Sequence, residues 1–227
     1  MSAPGTWAVI PVKPLRGALR RLTPALEAPV RRALQVAMLT DVLTACAGAR
    51  DLAGVMVVTS DPEAREMAGR IAGARVVPDH DPPRGMNAAV VRGLEEVAAA
   101  GAAGALVLTA DLPLARPDDL EAVLVAAPPP PGVVLVPSVH GTGTNAMLLR
   151  PPGALTPRLG LDSLARHRAQ AARRALAVVL CERPGLALDI DTPHDLAELM
   201  GRGGTGATLA ACARLEIAGT LETGSPL

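Results

Sequence analysis

Short runs of aliphatic and β-branched residues alternate with longer amphipathic runs along most of this chain. A strand-like run of about four to eight residues followed by a helical run is typical of βαβ units. Repetition of that order predicts an α/β fold, with a mostly parallel central sheet and helices on both faces. The predicted strands cover residues 7–12, 54–60, 75–78, 104–110, 133–137, 145–149, 176–181 and 186–190, and the predicted helices begin near Val30, Asp61, Asn87, Pro117, Ser163 and Pro193.

Two segments depart from the parallel pattern. The predicted strands 133–137 and 145–149 flank a glycine-containing turn, which indicates an antiparallel pair inserted late in the sheet. After Met200 the composition changes to glycine and threonine. We therefore expect one domain over residues 1–200 and a Gly-rich, loosely ordered tail over 201–227, with a short helix near 207–215.

Composition excludes several classes of protein. The chain has 227 residues, of which 49% are hydrophobic, and this is enough for one substantial core. The net charge of zero argues against a nucleic-acid partner, and the lack of Phe and Tyr removes base-stacking platforms. The sequence lacks a signal pattern and an apolar run of about 18 residues, so we expect no membrane association. Cys46, Cys181 and Cys212 are read as reduced thiols of a cytoplasmic protein.

An acidic pair interrupts the apolar segment 186–192, which contains Asp189 and Asp191. On a strand, positions two apart point to the same face, roughly 6.5 to 7 Å apart along the backbone. Two carboxylates so placed repel each other, and burial adds a desolvation cost. A cation relieves both costs, and oxygen ligands suit Mg²⁺ better than zinc. The segment therefore predicts a magnesium site of the kind that handles phosphates.

A third aspartate, Asp111, follows the predicted strand 104–110. In open α/β sheets ligands gather at the carboxyl ends of the strands, so Asp111 lies where chemistry is expected. Taken singly, Asp111 could cap a turn and Asp191 could begin the following helix. The occurrence of three such aspartates favours a shared metal.

Lys13 is the only lysine among 22 basic residues, which indicates a general bias towards arginine. It follows the first predicted strand, where an ammonium group on a flexible side chain suits a polyphosphate. The alternative is the chance survival of one surface lysine.

Polar loops supply weaker candidates. The turn 140–145 could present backbone N–H groups to an anion or simply join two strands. The loop 160–163 enters a helix, where Ser163 could serve as N-cap or the helix end could bind an anion. Asn87 could cap a helix or contact a nucleobase edge. We expect His167 and His194, both on predicted helices, to face solvent.

Taken together these segments resemble the guanylyltransferases of deazaflavin coenzyme F-420 biosynthesis. The resemblance covers residues 7 to about 200 and rests on the runs "WAVIPVKPL", "AMLTDVL", "VVTSDP", "GMNAAV", "VLTADLPL", "HGTGTNAMLLRPP", "LARH" and "PGLALDIDTPHDLAEL". It implies a nucleotide-diphospho-sugar-transferase-like (GT-A type) nucleotidyltransferase fold. It also implies that GTP is joined to phosphoenolpyruvate or 2-phospho-L-lactate, with release of pyrophosphate.

The resemblance also implies residue roles. Asp111, Asp189 and Asp191 would be catalytic and hold Mg²⁺. The carboxylate end of the acid would be contacted by Thr144, Gly160 and Ser163. We add Lys13, Arg20 and Arg21 as groups that steady the leaving pyrophosphate, and Asn87 as a further nucleotide contact.

Two positions depart from the family pattern. Leu19 stands where a second lysine is usual, and Arg20 could replace its charge, although guanidinium and ammonium are not equivalent on phosphate. Asp162 brings a carboxylate into a loop that is usually glycine-proline-glycine-serine.

Two alternatives remain open at the level of sequence. One is a molybdopterin guanylyltransferase, although that family usually carries a glycine-rich loop where this chain has residues 11–15. The other is a catalytically inactive nucleotide-binding domain. The expected partners are GTP and a phosphorylated three-carbon acid, with a homodimer left open.

Overall fold

The computed structural model describes residues 5–219, and its centre is a seven-stranded sheet. The strands lie in the order β3-β2-β1-β4-β6-β5-β7. The strands are β1 (Thr6–Pro11), β2 (Leu52–Val58), β3 (Ala74–Val77), β4 (Gly104–Leu108), β5 (Gly132–Pro137), β6 (Thr144–Arg150) and β7 (Ala177–Leu180). The helices are α1 (Ala28–Gly48), α2 (Pro62–Gly69), α3 (Met86–Ala99), α4 (Pro117–Val125), α5 (Ser163–Arg173), α6 (Pro184–Ala187), α7 (Pro193–Arg202) and α8 (Ala207–Arg214), with a 3₁₀ turn at Arg20–Leu22.

Strand directions confirm the predicted α/β class. β1 pairs in parallel with both β2 and β4, and β2 pairs in parallel with β3. β6 runs antiparallel to its neighbours β4 and β5, as expected for the inserted pair, and β7 returns to the parallel direction beside β5. The carboxyl ends of β1, β3 and β4 therefore meet at one edge of the sheet.

Helices cover both faces of the sheet, and the period of two along each strand decides which side chains meet them. Ile10 and Leu106 point to the face covered by α1, α2 and α4. Val9 and Val107 point to the opposite face, which α3 and α5 cover. All four side chains are buried, and each stabilises the fold by about 1.5–3 kcal/mol relative to an exposed position.

The prediction of a strand over 186–190 is wrong. Residues 184–187 form the short helix α6, and residues 188–191 belong to neither a helix nor a strand. Pro184 occupies the first turn of α6, where its missing N–H is not needed. Buried Asn145 donates to the carbonyls of Leu186 and Ala187, and Ala187 O also accepts from Val139 N at 2.7 Å, so these bonds fix a path that is not part of a strand.

The segment after residue 200 contains a helix that packs against the rest of the chain. The predicted short helix is present as α8, and it packs against α1. Asp41 on α1 accepts hydrogen bonds from the backbone N–H groups of Ala207 and Thr208, at 2.6 and 2.9 Å. Cys212 and Ile217 are buried in the apolar cluster beneath. The segment is therefore packed on the domain as far as Ile217, and the end of the predicted tail, 220–227, lies outside the described residues.

Two sequence expectations concern the chain as a whole. Across residues 5–219 no helix is both long enough and apolar enough to cross a bilayer. Within the same range Cys46, Cys181 and Cys212 form no disulfide, and Cys46 and Cys212 are buried.

Candidate active site

A cleft of about 650 Å³ opens at the edge where the carboxyl ends of β1, β3 and β4 meet. This is the position at which α/β sheets bind ligands. Its lining combines basic side chains from the loop after β1 with acidic side chains that follow β3, β4 and α6. The charged members are Lys13, Arg16, Arg20, Arg21, Asp79, Asp111 and Asp191. Below we call it the main cleft.

The loop after β1 is fixed by one carboxylate. Asp61 Oδ2 accepts a hydrogen bond from Leu15 N at 2.9 Å, and Asp61 Oδ1 accepts from Glu63 N and Ala64 N in the first turn of α2. The side chain of Leu15 is buried, whereas Lys13 is exposed. Asp61 therefore caps α2 and holds the loop that carries Lys13 into the main cleft.

Leu19 has a left-handed backbone conformation, with φ of 53° and ψ of 47°. For a residue other than glycine this conformation costs on the order of 1–2 kcal/mol. Leu19 begins the 3₁₀ turn, since its carbonyl accepts from Leu22 N at 2.9 Å. The turn places Arg20 and Arg21 on the cleft wall, so arginines supply the positive charge next to Leu19.

Asp111 is the most perturbed carboxylate of the main cleft. Its Oδ1 is buried and has no hydrogen-bond partner among residues 5–219. Burial, together with the negative charges of Asp189 and Asp191, raises the pKa of Asp111 from 3.8 to about 6. The nearby Thr109 hydroxyl lowers the pKa in part, without making a hydrogen bond of ordinary geometry to Oδ1. The repulsion expected among the three aspartates is therefore present.

The two other aspartates lie beside Asp111 but have different partners. The backbone joins them, because Ile190 N donates to Asp111 O at 3.1 Å. Asp189 Oδ1 accepts from Asn145 Nδ2 at 3.1 Å, which opposes the rise in the pKa of Asp189 that burial causes. Asp191 Oδ2 forms an exposed ion pair with Arg21 Nη1 at 2.9 Å.

The three aspartates offer the oxygen ligands that a hard cation prefers, but their side chains do not form a ready-made metal site. An unpaired buried oxygen on Asp111, beside two more carboxylates, is a donor set that Mg²⁺ prefers. Nevertheless, within residues 5–219 no three His, Cys, Asp or Glu side chains stand together as a ready metal site. Asp191 is held by Arg21 instead, and Asp189 is not among the side chains that line the main cleft.

Buried Asn145 positions the segment that carries Asp189. Its Nδ2 lies 3.1 Å from Leu186 O, 2.8 Å from Ala187 O and 3.1 Å from Asp189 Oδ1. Asn145 lies near the start of β6, so one amide connects the antiparallel insertion to the acidic segment. No motif in the sequence marks Asn145 as part of the metal site.

Replacement of Asn145 by alanine is expected to lower turnover at least tenfold and stability by about 1–3 kcal/mol, since the segment loses its shared donor. The matched control is Gln170→Ala, which removes another buried amide whose Oε1 accepts from Thr156 N at 3.0 Å, away from the main cleft. Steady-state kinetics and urea unfolding of both variants provide the check. Equal losses of turnover in the two variants would contradict a positioning role for Asn145.

Thr144, Gly160 and Ser163, the expected contacts of the acid substrate, lie close together and bond to one another. Thr144 N donates to Ser163 Oγ at 2.8 Å, and Ser163 N donates to Gly160 O at 3.1 Å. The side chains of Thr144 and Ser163 are buried, and none of the three residues lines the main cleft. Ser163 is the first helical residue of α5 rather than its N-cap, which is Asp162. Asp162 itself is exposed.

His167 is fully buried, so the expectation that it faces solvent is wrong. Its Nε2 accepts from Arg158 N at 2.9 Å, which assigns the ring proton to Nδ1, 3.1 Å from Thr144 Oγ1. Burial, with a contribution from Arg166, lowers the pKa of His167 to about 4. The neutral ring joins α5, β6 and the loop before Gly160.

A pH effect on stability follows from His167. Between its folded pKa of about 4 and its ordinary value of 6.5, the unfolded chain binds a proton that the folded chain excludes. Stability is therefore expected to fall as the pH drops from 6.5 towards 4, by on the order of 1–3 kcal/mol. The variant His167→Gln should lack this part of the fall in urea unfolding across the pH range. The same pH dependence in both proteins would contradict the buried neutral ring.

Asn87 lies elsewhere than predicted. Its Oδ1 accepts from Leu159 N at 2.7 Å and its Nδ2 donates to Leu159 O at 3.2 Å, so both ends of the amide are engaged. The N-cap of α3 is Gly85. Asn87 lines a second cavity of about 510 Å³ on another side of α3 rather than the main cleft. Its assignment as a nucleotide contact gains no support from this position.

Comparison with known proteins places this chain in a family. A family model described as "Guanylyl transferase CofC like" matches residues 6–225. A phosphoenolpyruvate guanylyltransferase of Conexibacter woesei is 44% identical over 196 residues, which cover 86% of each chain. Another from Sphaerobacter thermophilus is 42% identical over 203 residues, or 89% of this chain and 96% of the relative.

Solved structures show the same fold at low sequence identity. A protein of Desulfovibrio desulfuricans G20 described as a nucleotide-diphospho-sugar transferase has a TM-score of 0.75 at 14% identity, over 98% of both chains. CMP:2-keto-3-deoxy-manno-octonic acid synthetase with CTP has a TM-score of 0.59 at 16% identity, over 87% of this chain and 99% of that chain. These likenesses confirm the predicted fold class. The chain is a nucleotidyltransferase and belongs to the CofC-like guanylyl transferase family.

Proposed function

We propose that this enzyme transfers the guanylyl group of GTP to the phosphate of phosphoenolpyruvate, with release of pyrophosphate, as a step of coenzyme F-420 biosynthesis. The central observation is the main cleft, which Lys13 and three arginines line together with Asp111, whose Oδ1 is buried and unpaired among residues 5–219. The names of the relatives favour phosphoenolpyruvate over 2-phospho-L-lactate as the acid. Cytoplasmic location belongs to the same proposal.

The reaction needs positioning and charge neutralisation more than covalent help. A phosphate oxygen of the acid attacks the α-phosphorus of GTP in line, and the bond to the leaving pyrophosphate breaks. The attacking phosphate is already ionised near neutral pH, so no general base is required. Lys13, Arg16 and Arg20, which line the main cleft, would neutralise the charge that develops on pyrophosphate.

Asp111, Asp189 and Asp191 are the residues that would hold Mg²⁺. When bound, the ion would neutralise phosphate charge at the reacting phosphorus. Asp191 is paired with Arg21, and a guanidinium also pairs with phosphate. A triphosphate that attracts Arg21 would thereby release the Asp191 carboxylate. The ion pair is exposed, so its loss would cost no more than about 1 kcal/mol.

The proposed function is tested with the full chain, Mg²⁺, and a matrix of GTP, ATP or CTP against phosphoenolpyruvate, 2-phospho-L-lactate or 3-phosphoglycerate. Pyrophosphate release and product mass are measured in each combination. We expect pyrophosphate and a guanylylated acid with GTP and phosphoenolpyruvate. Mg-GTP binding without pyrophosphate in any combination would instead support an inactive nucleotide-binding domain.

A further inference from the structure

Asp79 follows β3 and lines the main cleft, although it plays no part in the mechanism described above. Its side chain is only 10% exposed. Oδ1 accepts from His80 N at 2.7 Å and lies 3.4 Å from His80 Nδ1. Among the residues that the structure describes, none donates a hydrogen bond to Oδ2. An acceptor oxygen is thus held in the wall of the cleft with bonding capacity to spare.

The sheet sets the distance between Asp79 and the reacting centre. β3 and β4 are three places apart in the strand order, with β2 and β1 between them. At about 4.8 Å between neighbouring strands, their carboxyl ends lie roughly 14 Å apart. Asp111 therefore lies at one end of the main cleft and Asp79 at the other. A nucleotide with its α-phosphorus near Asp111 and its phosphates near Lys13 would extend its base towards Asp79.

The surroundings of Asp79 suit a flat ring. Pro83, Met86 and Ala89 line the same part of the cleft, at the end of the loop after β3 and on the first turns of α3. Methionine sulfur makes favourable contacts with aromatic rings, and proline and alanine offer apolar surface. A base could pack against these side chains while its polar edge meets the carboxylate.

We propose that Asp79 selects the base of the nucleotide by accepting hydrogen bonds from guanine N1–H and N2–H. A carboxylate only accepts, and guanine presents two adjacent donors on that edge, whereas adenine presents the acceptor N1 between C2–H and its amino group. This inference rests on the proposed function, because it assumes that GTP is the donor substrate. It adds the group that rejects ATP.

The test is Asp79→Asn, assayed with GTP, ATP and xanthosine triphosphate in the presence of phosphoenolpyruvate. Xanthine carries an oxygen in place of the N2 amine, so an asparagine amide can donate where the carboxylate accepted. We expect kcat/KM for GTP to fall about 10- to 100-fold and kcat/KM for xanthosine triphosphate to rise by a similar factor. Asp81→Asn, at an exposed position outside both cavities, is the matched control and should keep the wild-type preference.

The outcomes separate this inference from the proposed function. If the wild-type enzyme uses GTP but Asp79→Asn keeps GTP preference and gains no xanthosine triphosphate activity, Asp79 does not select the base. An equal loss with all three nucleotides would also overturn the inference, because it would indicate a structural role. If the wild-type enzyme releases pyrophosphate from none of them, the proposed function fails first.

Discussion

Asp111→Asn is expected to abolish guanylyl transfer while making the metal-free protein more stable. Turnover should fall by about a thousandfold, because an amide at position 111 would hold Mg²⁺ far less well than the carboxylate does, and Mg²⁺ would supply the charge neutralisation at the reacting phosphorus. Stability should rise because the wild-type protein bears the cost of an ionised, buried carboxylate beside Asp189 and Asp191. An inactive but stabilised variant is the signature of a residue kept for catalysis rather than for folding.

The sign of the pH effect follows from the raised pKa of Asp111. Between its ordinary value of 3.8 and about 6, the folded protein binds a proton that the unfolded chain has released. Wild-type stability should therefore fall as the pH rises through that window and remain lower above it. Asp111→Asn lacks this fall, so above pH 6 it should be more stable by on the order of 1–3 kcal/mol.

The expected change in stability is checked by thermal unfolding of both proteins in the presence of a chelator, at pH values from about 4 to 8. The expected loss of activity is checked by pyrophosphate release in the presence of Mg²⁺. In a chain of this size, each kcal/mol of change in the free energy of unfolding shifts the melting temperature by roughly 2–4 °C. The exposed Asp118→Asn on α4 is the control and should change neither property. A variant that stays active, or one that loses stability above pH 6, would show that Asp111 is not the strained carboxylate described here.

Lys13→Arg is expected to reduce turnover about a hundredfold with little change in stability. The side chain is exposed and forms no hydrogen bond or ion pair with residues 5–219, and it projects from a loop that Asp61 holds beside the cleft. A guanidinium keeps the charge yet has a planar, forked geometry that cannot replace a compact ammonium on a leaving pyrophosphate. The bias that converted every other basic position to arginine would then have spared the one position where lysine is required.

The opposite substitution, Arg168→Lys on the exposed surface of α5, is the control. Kinetics with saturating phosphoenolpyruvate, together with calorimetric melting of both variants, separates a chemical role from a structural one. If Lys13→Arg retains wild-type turnover, the survival of this lysine is chance.

Much of the fold could be predicted because local patterns and global packing agree. The buried strand β4, the proline-led start of α4 and the antiparallel pair β5 and β6 all lie within a few residues of their predicted bounds. The prediction of a strand over residues 186–190 is wrong because the apolar pattern of this segment is typical of a strand. Its path depends instead on Asn145, which is remote in sequence and contributes its amide only in the folded chain.

In the candidate site too, local sequence patterns predict some residues, whereas the roles of others depend on contacts with residues distant in sequence. The main cleft is lined by Lys13, Arg20, Arg21 and Asp111, whose positions after a strand or in the first loop can be read from the sequence. Asp191 also lines it, although the strand predicted before it is absent. Asp79 carries the same signal as Asp111, an aspartate after a predicted strand, and could have been found by it. The burial of His167 and the engagement of Asn87 depend on backbone groups in the loop 151–160, and no sequence pattern indicates them.

Label tracing is the most direct test of guanylyl transfer. GTP radiolabelled on its α-phosphorus, and in a parallel reaction on its γ-phosphorus, is incubated with phosphoenolpyruvate, Mg²⁺ and either the wild-type enzyme or Asp111→Asn. With the wild-type enzyme we expect the α-label to appear in an adduct with the acid and the γ-label to appear in pyrophosphate. With Asp111→Asn we expect both labels to remain in GTP. Transfer of the γ-label to the acid, or release of the α-label as free GMP alone, would contradict guanylyl transfer by this cleft.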